Sequence, residues 1–217
     1  MARPLIFDLD GTLVDSCAIC VAILSDMLAQ RGSSHRIDMD YARPFMSIGG
    51  QAMVAALLGP ACGDPAEEIA EFRRRYAVHD TARDTLFPHV ADGLARLVAA
   101  GHRLAICSNK PQNLCEKVLA DTGLSPHFAA IIGTTPDRRS KPAPDLLDLT
   151  LAALKTDAAD CLFIGDSELD HQVADAAGMP FLFLTHGYAH ADYVADPAFS
   201  YDCFGVLTGD ILAGRHG

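Results

Sequence analysis

Apolar residues along this chain fall into two kinds of pattern, short unbroken runs and longer stretches with helical spacing. Leu5, Ile6 and Phe7 form the first run, the mark of a buried strand. From Cys17 to Gln30 the apolar positions are Ile19, Ile23, Leu24, Met27 and Leu28, the spacing of an amphipathic helix that ends around Arg31-Gly32. Residues 38–46 read as a short helix or turn limited by Pro44, and Ser47-Ile48-Gly49-Gly50 reads as a loop. Residues 51–58 form a short apolar helix stopped by Gly59-Pro60. A further helix spans Pro65–Val78, with Pro at its start, Glu67 and Glu68 in the first turn and Arg73 to Arg75 in the last, an order that suits the helix dipole.

The pattern changes at Phe87-Pro88. A helix over residues 90–100 ends at Gly101, and a strand over 103–107 leads to Ser108-Asn109-Lys110-Pro111 and a helix over 112–121. A strand near 129–132 precedes Lys141-Pro142-Ala143-Pro144 and a helix over 145–154. A strand over 161–164 leads to Gly165-Asp166-Ser167 and a helix over 168–177; a strand over 181–184 and a helix near 205–213 follow. Alternating strands and helices predict an α/β fold, a doubly wound, Rossmann-like parallel sheet with helices on both faces. Residues 15–87 read as an inserted all-helical cap, so the core domain is expected at 1–14 and 88–217. Ligands in such sheets sit beyond the carboxyl ends of the strands, where Asp8, Ser108 and Asp166 fall.

Composition narrows the setting. The chain has 217 residues, half of them hydrophobic, enough for a sizeable core. No apolar run reaches membrane-spanning length, and the first strand begins too early to leave room for a secretory signal peptide. The seven scattered cysteines lack framework spacing, which points to a reducing cytoplasm. Cys17 and Cys20 make a Cys-x-x-Cys that reads as two small buried thiols one helical turn apart, in preference to a redox pair. A net charge of −11 argues against nucleic acid and anionic lipid as partners. It also means that local cations must overcome the field if the substrate is a phosphate. A monomer or homodimer is expected.

Chemistry concentrates at the strand ends. Asp8 and Asp10 follow the first strand on the same side, and Gly11 lets the chain turn. Two acids at the end of a buried strand need a compensating cation, and Mg²⁺ prefers such oxygen ligands. Ser108 can donate to a phosphoryl oxygen, and the following helix can point N–H groups at the same anion; Ser-Asn is also ordinary turn chemistry. Lys141 offers a compact positive charge, although a lysine beside prolines is usually solvated. Asp166 can reach the same cation, and Asp170, one turn later, can hold Lys141 or a metal-bound water. Arg43 is either a fork donor for a substrate carboxylate or a surface arginine.

The string Asp-Leu-Asp-Gly-Thr-Leu-Val-Asp-Ser at residues 8–16, Ser108-Asn109, Lys141-Pro142-Ala143-Pro144-Asp145, and Gly165 to Asp170 resemble, in order, the four motifs of the haloacid dehalogenase superfamily. The cap around Arg43 to Gly50 and the stretch Leu184-Thr185-His186-Gly187-Tyr188 look like those of bacterial phosphoglycolate phosphatases. The resemblance implies a Mg²⁺-dependent phosphomonoesterase for a small phosphorylated metabolite such as 2-phosphoglycolate. It implies Asp8 as nucleophile, Asp10 as acid and base, and Asp8, Asp10 and Asp166 as metal ligands. Gly11, Ser108, Asn109 and Lys141 would bind phosphate, with Asp170 behind them. Asp10 separates this chain from the dehalogenases, and the absence of lysine from residues 15–87 separates it from the phosphonate hydrolases of the superfamily. The alternatives are a β-phosphoglucomutase-like isomerase, a pyrophosphatase and a non-catalytic regulator on the same scaffold.

Overall fold

The computed structural model describes residues 2–216. Its sheet has six strands: β1 (Leu5–Phe7), β2 (Leu104–Pro111), β3 (Phe128–Thr134), β4 (Leu162–Gly165), β5 (Phe181–Leu184) and β6 (Ser200–Tyr201). They are all parallel, in the order β3-β2-β1-β4-β5-β6. Side chains alternate between faces. Leu5, Phe7, Leu104, Ile106, Leu162 and Ile164 join one apolar cluster. Ile6, Ala105, Cys107 and Phe163 join another on the opposite face.

Helices cover both faces. α5 (Val90–Ala99), α6 (Gln112–Asp121) and α9 (Phe204–Leu212) pack on the first cluster through Leu94, Leu114 and Phe204. α7 (Asp145–Leu154) and α8 (Glu168–Ala176) pack on the second through Leu146, Leu147 and Val173. Between β1 and β2 lie α1 (Cys17–Gln30), α2 (Met39–Ala42), α3 (Gly50–Leu58) and α4 (Pro65–Val78). Their buried residues, among them Leu24, Val54, Leu57, Phe72 and Tyr76, continue the first cluster. Arg31 at the end of α1 binds the buried Glu68 of α4 with two hydrogen bonds of 2.7 and 2.6 Å, tying these helices together.

The chain enters and leaves this helical segment side by side. Val14 and Leu86 face each other as an antiparallel bridge. The Asp15 N–H donates to the Thr85 carbonyl at 2.8 Å, and the Phe87 N–H donates to the Leu13 carbonyl at 3.1 Å.

Two elements depart from the sequence reading. The strand was expected to end at Cys107, before Ser108 to Pro111, yet β2 runs through them and Pro111 pairs with Thr134 across an irregularity in register after Cys107. The bulge lets the strand continue without a regular ladder, so no alternation marks it. β6 has only two residues and carries no pattern to read. Cys17 and Cys20 lie buried on α1, where burial pushes their thiols up to about 11 and about 12. Thiols held protonated in this way are poor nucleophiles, which favours the packing reading over the redox one.

Candidate active site

Strand order brings the motifs together. β1 lies between β2 and β4, so the residues after these three strands meet at one end of the sheet. Phe7 pairs with Ile106 on one side and Ile164 on the other. The next residue, Asp8, is anchored by its N–H to the Ile164 carbonyl at 3.0 Å. The chain runs outward from β1 to β2 and β3, then crosses back to β4 on the other side of β1, and such a reversal opens a crevice at the strand ends.

Lys141 is the buried cation of this crevice. Its Nζ lies 2.5 Å from Asp170 Oδ1, 3.0 Å from Asp8 Oδ1 and 2.8 Å from the Cys107 carbonyl. Burial works against its charge, but Asp170 and Asp8 outweigh that and hold the ammonium protonated. The approach of Lys141 to Asp8 Oδ1 is close enough for charge attraction but poorly angled for a hydrogen bond, so this buried oxygen keeps no hydrogen-bond partner. Burial drives the Asp8 carboxyl up to about 6 against the pull of Lys141.

Asp170 gains its position from local helix chemistry. Ser167 caps α8 and forms a capping box with Asp170, whose Oδ2 accepts from the Ser167 hydroxyl at 2.7 Å and the Ser167 N–H at 3.1 Å. Both oxygens of Asp170 are therefore engaged, one by the cap and one by Lys141.

Asp166 is fully buried beside Asp8. Its Oδ1 accepts from the Thr12 hydroxyl at 2.6 Å and its Oδ2 from the Tyr188 N–H at 2.8 Å. Burial, Asp170 and Asp8 together raise its carboxyl well above the ordinary value. Two glycines make room for it. A Cβ on Gly11, whose φ is +86°, would lie 2.1 Å from Asp166 Oδ2, and a Cβ on Gly187 would lie 2.2 Å from the same atom. No side chain fits at either place.

Asp10 turns its side chain elsewhere. Lys110 Nζ binds both Asp10 oxygens at 3.0 Å and stands 4.2 Å from the centre of the Tyr76 ring on α4. Burial opposes the Lys110 charge, and Asp10 more than restores it. Asn109 was expected to bind phosphate, but its amide is occupied. Its Nδ2 donates to the Lys141 carbonyl at 3.1 Å, while its Oδ1 accepts from the Lys141 N–H at 2.7 Å. This side chain fastens the Lys141 loop to β2. Ser108 is buried at the cleft floor.

Arg43 pairs with Asp15 at 3.1 Å and lies 5.4 Å from the centre of the Tyr188 ring. The Tyr188 hydroxyl donates to Asp15 Oδ1 at 2.6 Å and accepts from the Cys17 N–H at 3.1 Å, capping α1 from across the chain. Neither earlier reading of Arg43 foresaw this partner.

The motif residues line a cleft of about 370 Å³ roofed by Ser47, Ile48, Gly49, Gly50, Phe72, Arg73 and Tyr76. A cavity of similar size, about 380 Å³, lies against β5 and contains none of the motif residues. Sequence reasoning passed over Thr12, Lys110, Gly187 and Tyr188 as contributors. No local signal marks Lys110, because the irregularity after Cys107 breaks the alternation there.

The parallel sheet thus brings three acids and a buried lysine together at its carboxyl end. Residues 5–184 match the haloacid dehalogenase-like hydrolase family. A phosphoglycolate phosphatase of Rhodobacter capsulatus is 36% identical over 215 residues, covering 96% of both chains. A plasmid-encoded one of Cupriavidus necator is 35% identical over 195 residues, covering 85% of this chain and 81% of its own. The crystal structure of a predicted phosphoglycolate phosphatase from Haemophilus somnus superposes with a TM-score of 0.80 at 24% identity, over 98% of this chain and 97% of that one. The chain belongs to the haloacid dehalogenase-like hydrolases and is a phosphoric monoester hydrolase related to the phosphoglycolate phosphatases.

Proposed function

We propose that the protein is a Mg²⁺-dependent phosphatase that hydrolyses a small phosphomonoester, 2-phosphoglycolate first among candidates, through a phosphorylated Asp8. The observation that carries this reading is the buried oxygen of Asp8 that accepts no hydrogen bond, beside the buried Asp166 carboxylate. One oxygen each of Asp8, Asp166 and Asp170 lie within 4.8 Å of one another. This donor set suits a hard divalent cation. Asp170 is the least available of the three, since Lys141 and the α8 cap already use it. Asp8, Asp166 and the Asp10 main-chain carbonyl would hold the ion. When bound, it offsets phosphate charge and favours in-line attack.

In this scheme Asp8 attacks phosphorus, and the P–O bond to the leaving alkoxide breaks as the acyl-phosphate forms. Asp10 gives that alkoxide a proton and later takes one from the water that cleaves the acyl-phosphate. Lys110 fixes the orientation of Asp10 between these duties. Lys141 and Ser108 hold phosphoryl oxygens, and the roof over the cleft excludes bulk water. Residues 15–87 act as the cap in this reading, with 1–14 and 88–217 as the core. A cytoplasmic setting accords with seven free thiols. No helix among the described residues is long and apolar enough to cross a membrane.

The test is a phosphate-release screen over 2-phosphoglycolate, sugar phosphates, nucleotides and pyrophosphate with Mg²⁺. Phosphoglycolate should head the list, excess EDTA should abolish turnover, and Asp8→Asn should fold yet be inactive. Full turnover in EDTA, or an active Asp8→Asn, refutes the scheme.

A further inference from the structure

We infer that Arg73 determines substrate choice by binding a second anionic group on the substrate, at the end remote from the phosphoryl centre. The inference rests on the phosphomonoesterase reading and goes further by naming the class: short phosphomonoesters that carry another carboxylate or phosphate.

Three cations line the cleft, Lys110, Lys141 and Arg73. Two are already committed to acids. Lys110 grips Asp10 with both contacts at 3.0 Å, and Lys141 lies between Asp8 and Asp170. Arg73 differs. It sits in a run of three arginines on α4, and its neighbours Arg74 and Arg75 each bind Glu71 at 2.6 Å. Glu71 is thereby saturated, and among the described residues no carboxylate lies within ion-pair distance of Arg73.

Arg73 nonetheless stays by the cleft. Its Nη2 lies 3.9 Å from the point where a Cβ on Gly50 would stand, so the guanidinium rests against the start of α3. Around it the roof is apolar, with Met46, Ile48, Met53 and Phe72. An arginine at an apolar rim offers a planar fork that matches a carboxylate or phosphate. A neutral tail would leave that fork unmatched. A chain with net charge −11 also needs a cation at each place where it meets an anion. The phosphoryl end has Lys141; the helical roof has Arg73, beside Gly50.

Discrimination is the readout. Steady-state kcat/KM is measured for 2-phosphoglycolate, for propane-1,3-diol bisphosphate and for ethyl phosphate, whose tail is uncharged. Arg73→Gln should lower the ratio of phosphoglycolate to ethyl phosphate by about ten- to a hundredfold, the effect of losing a charged hydrogen bond. The loss should fall mainly on KM, and Arg73→Lys should restore part of it. Whichever anionic substrate loses more identifies carboxylate or phosphate as the preferred group. Arg74→Gln, on the far side of Glu71, should leave both ratios unchanged. An unchanged ratio in Arg73→Gln, or an equal fall in Arg74→Gln, overturns this assignment and leaves the phosphatase reading standing. No phosphate release from any of the three by the wild-type protein overturns both.

Discussion

Burial lifts the Asp8 carboxyl to about 6 and raises Asp166 well above its ordinary range. Folding therefore favours the protonated forms. The unfolded chain gives up these protons near pH 4, so stability falls as pH rises from there through about 6, where ionised Asp8 must be kept in a low-dielectric pocket. A divalent cation should reverse the trend by favouring the ionised pair. In EDTA, Asp8→Asn should stabilise the protein more at pH 7 than at pH 5, by a difference of about 1 kcal/mol. Thermal unfolding at the two pH values measures it, and an equal gain at both would show that Asp8 is not desolvated. Added Mg²⁺ should raise the midpoint more at pH 7 than at pH 5. At this scale the sequence was a good guide to which acids meet, because strand ends and spacing fix them. It was silent on Lys110 and Tyr188, since a partner 100 or 173 residues away leaves no local trace.

Elements explain what single residues cannot. α7 at Asp145–Leu154 and β5 at Phe181–Leu184 lie where periodicity and apolar runs placed them. The end of β2 does not, because a bulge replaces alternation there and Asn-Lys-Pro looks like turn chemistry. That extension matters, since Asn109 on β2 carries the loop that presents Lys141. The reciprocal amide pair leaves two buried backbone groups without partners if the side chain is removed. Asn109→Ala should cost about 1–3 kcal/mol of stability, measured by denaturant midpoint. It should also lower kcat about ten- to a hundredfold through a displaced lysine. Loss of stability with unchanged kcat would show that Lys141 finds its place without help.

The whole molecule joins two bodies of side chains through one apolar cluster and one pair of crossings. The change of period marks the helical stretch between β1 and β2, but no local pattern shows how it is fastened. Tyr188 supplies part of that fastening, reaching from beyond β5 to cap α1 and to hold Asp15 against Arg43. Tyr188→Phe keeps the ring and removes both hydrogen bonds. It should cost about 0.5–1.5 kcal/mol per bond lost and speed hydrogen exchange at the first amides of α1. Exchange unchanged at Cys17 would mean that the hydroxyl does not secure that helix.

The ladder at Val14 and Leu86 leaves the insertion a narrow choice of movement. Two chains bound edge to edge bend readily across their width but resist sliding past one another, because sliding breaks the Asp15 and Phe87 hydrogen bonds together. The segment that carries Gly49, Gly50 and Arg73 to the cleft is thus pinned at both of its ends, and its register against the sheet is set by those two bonds.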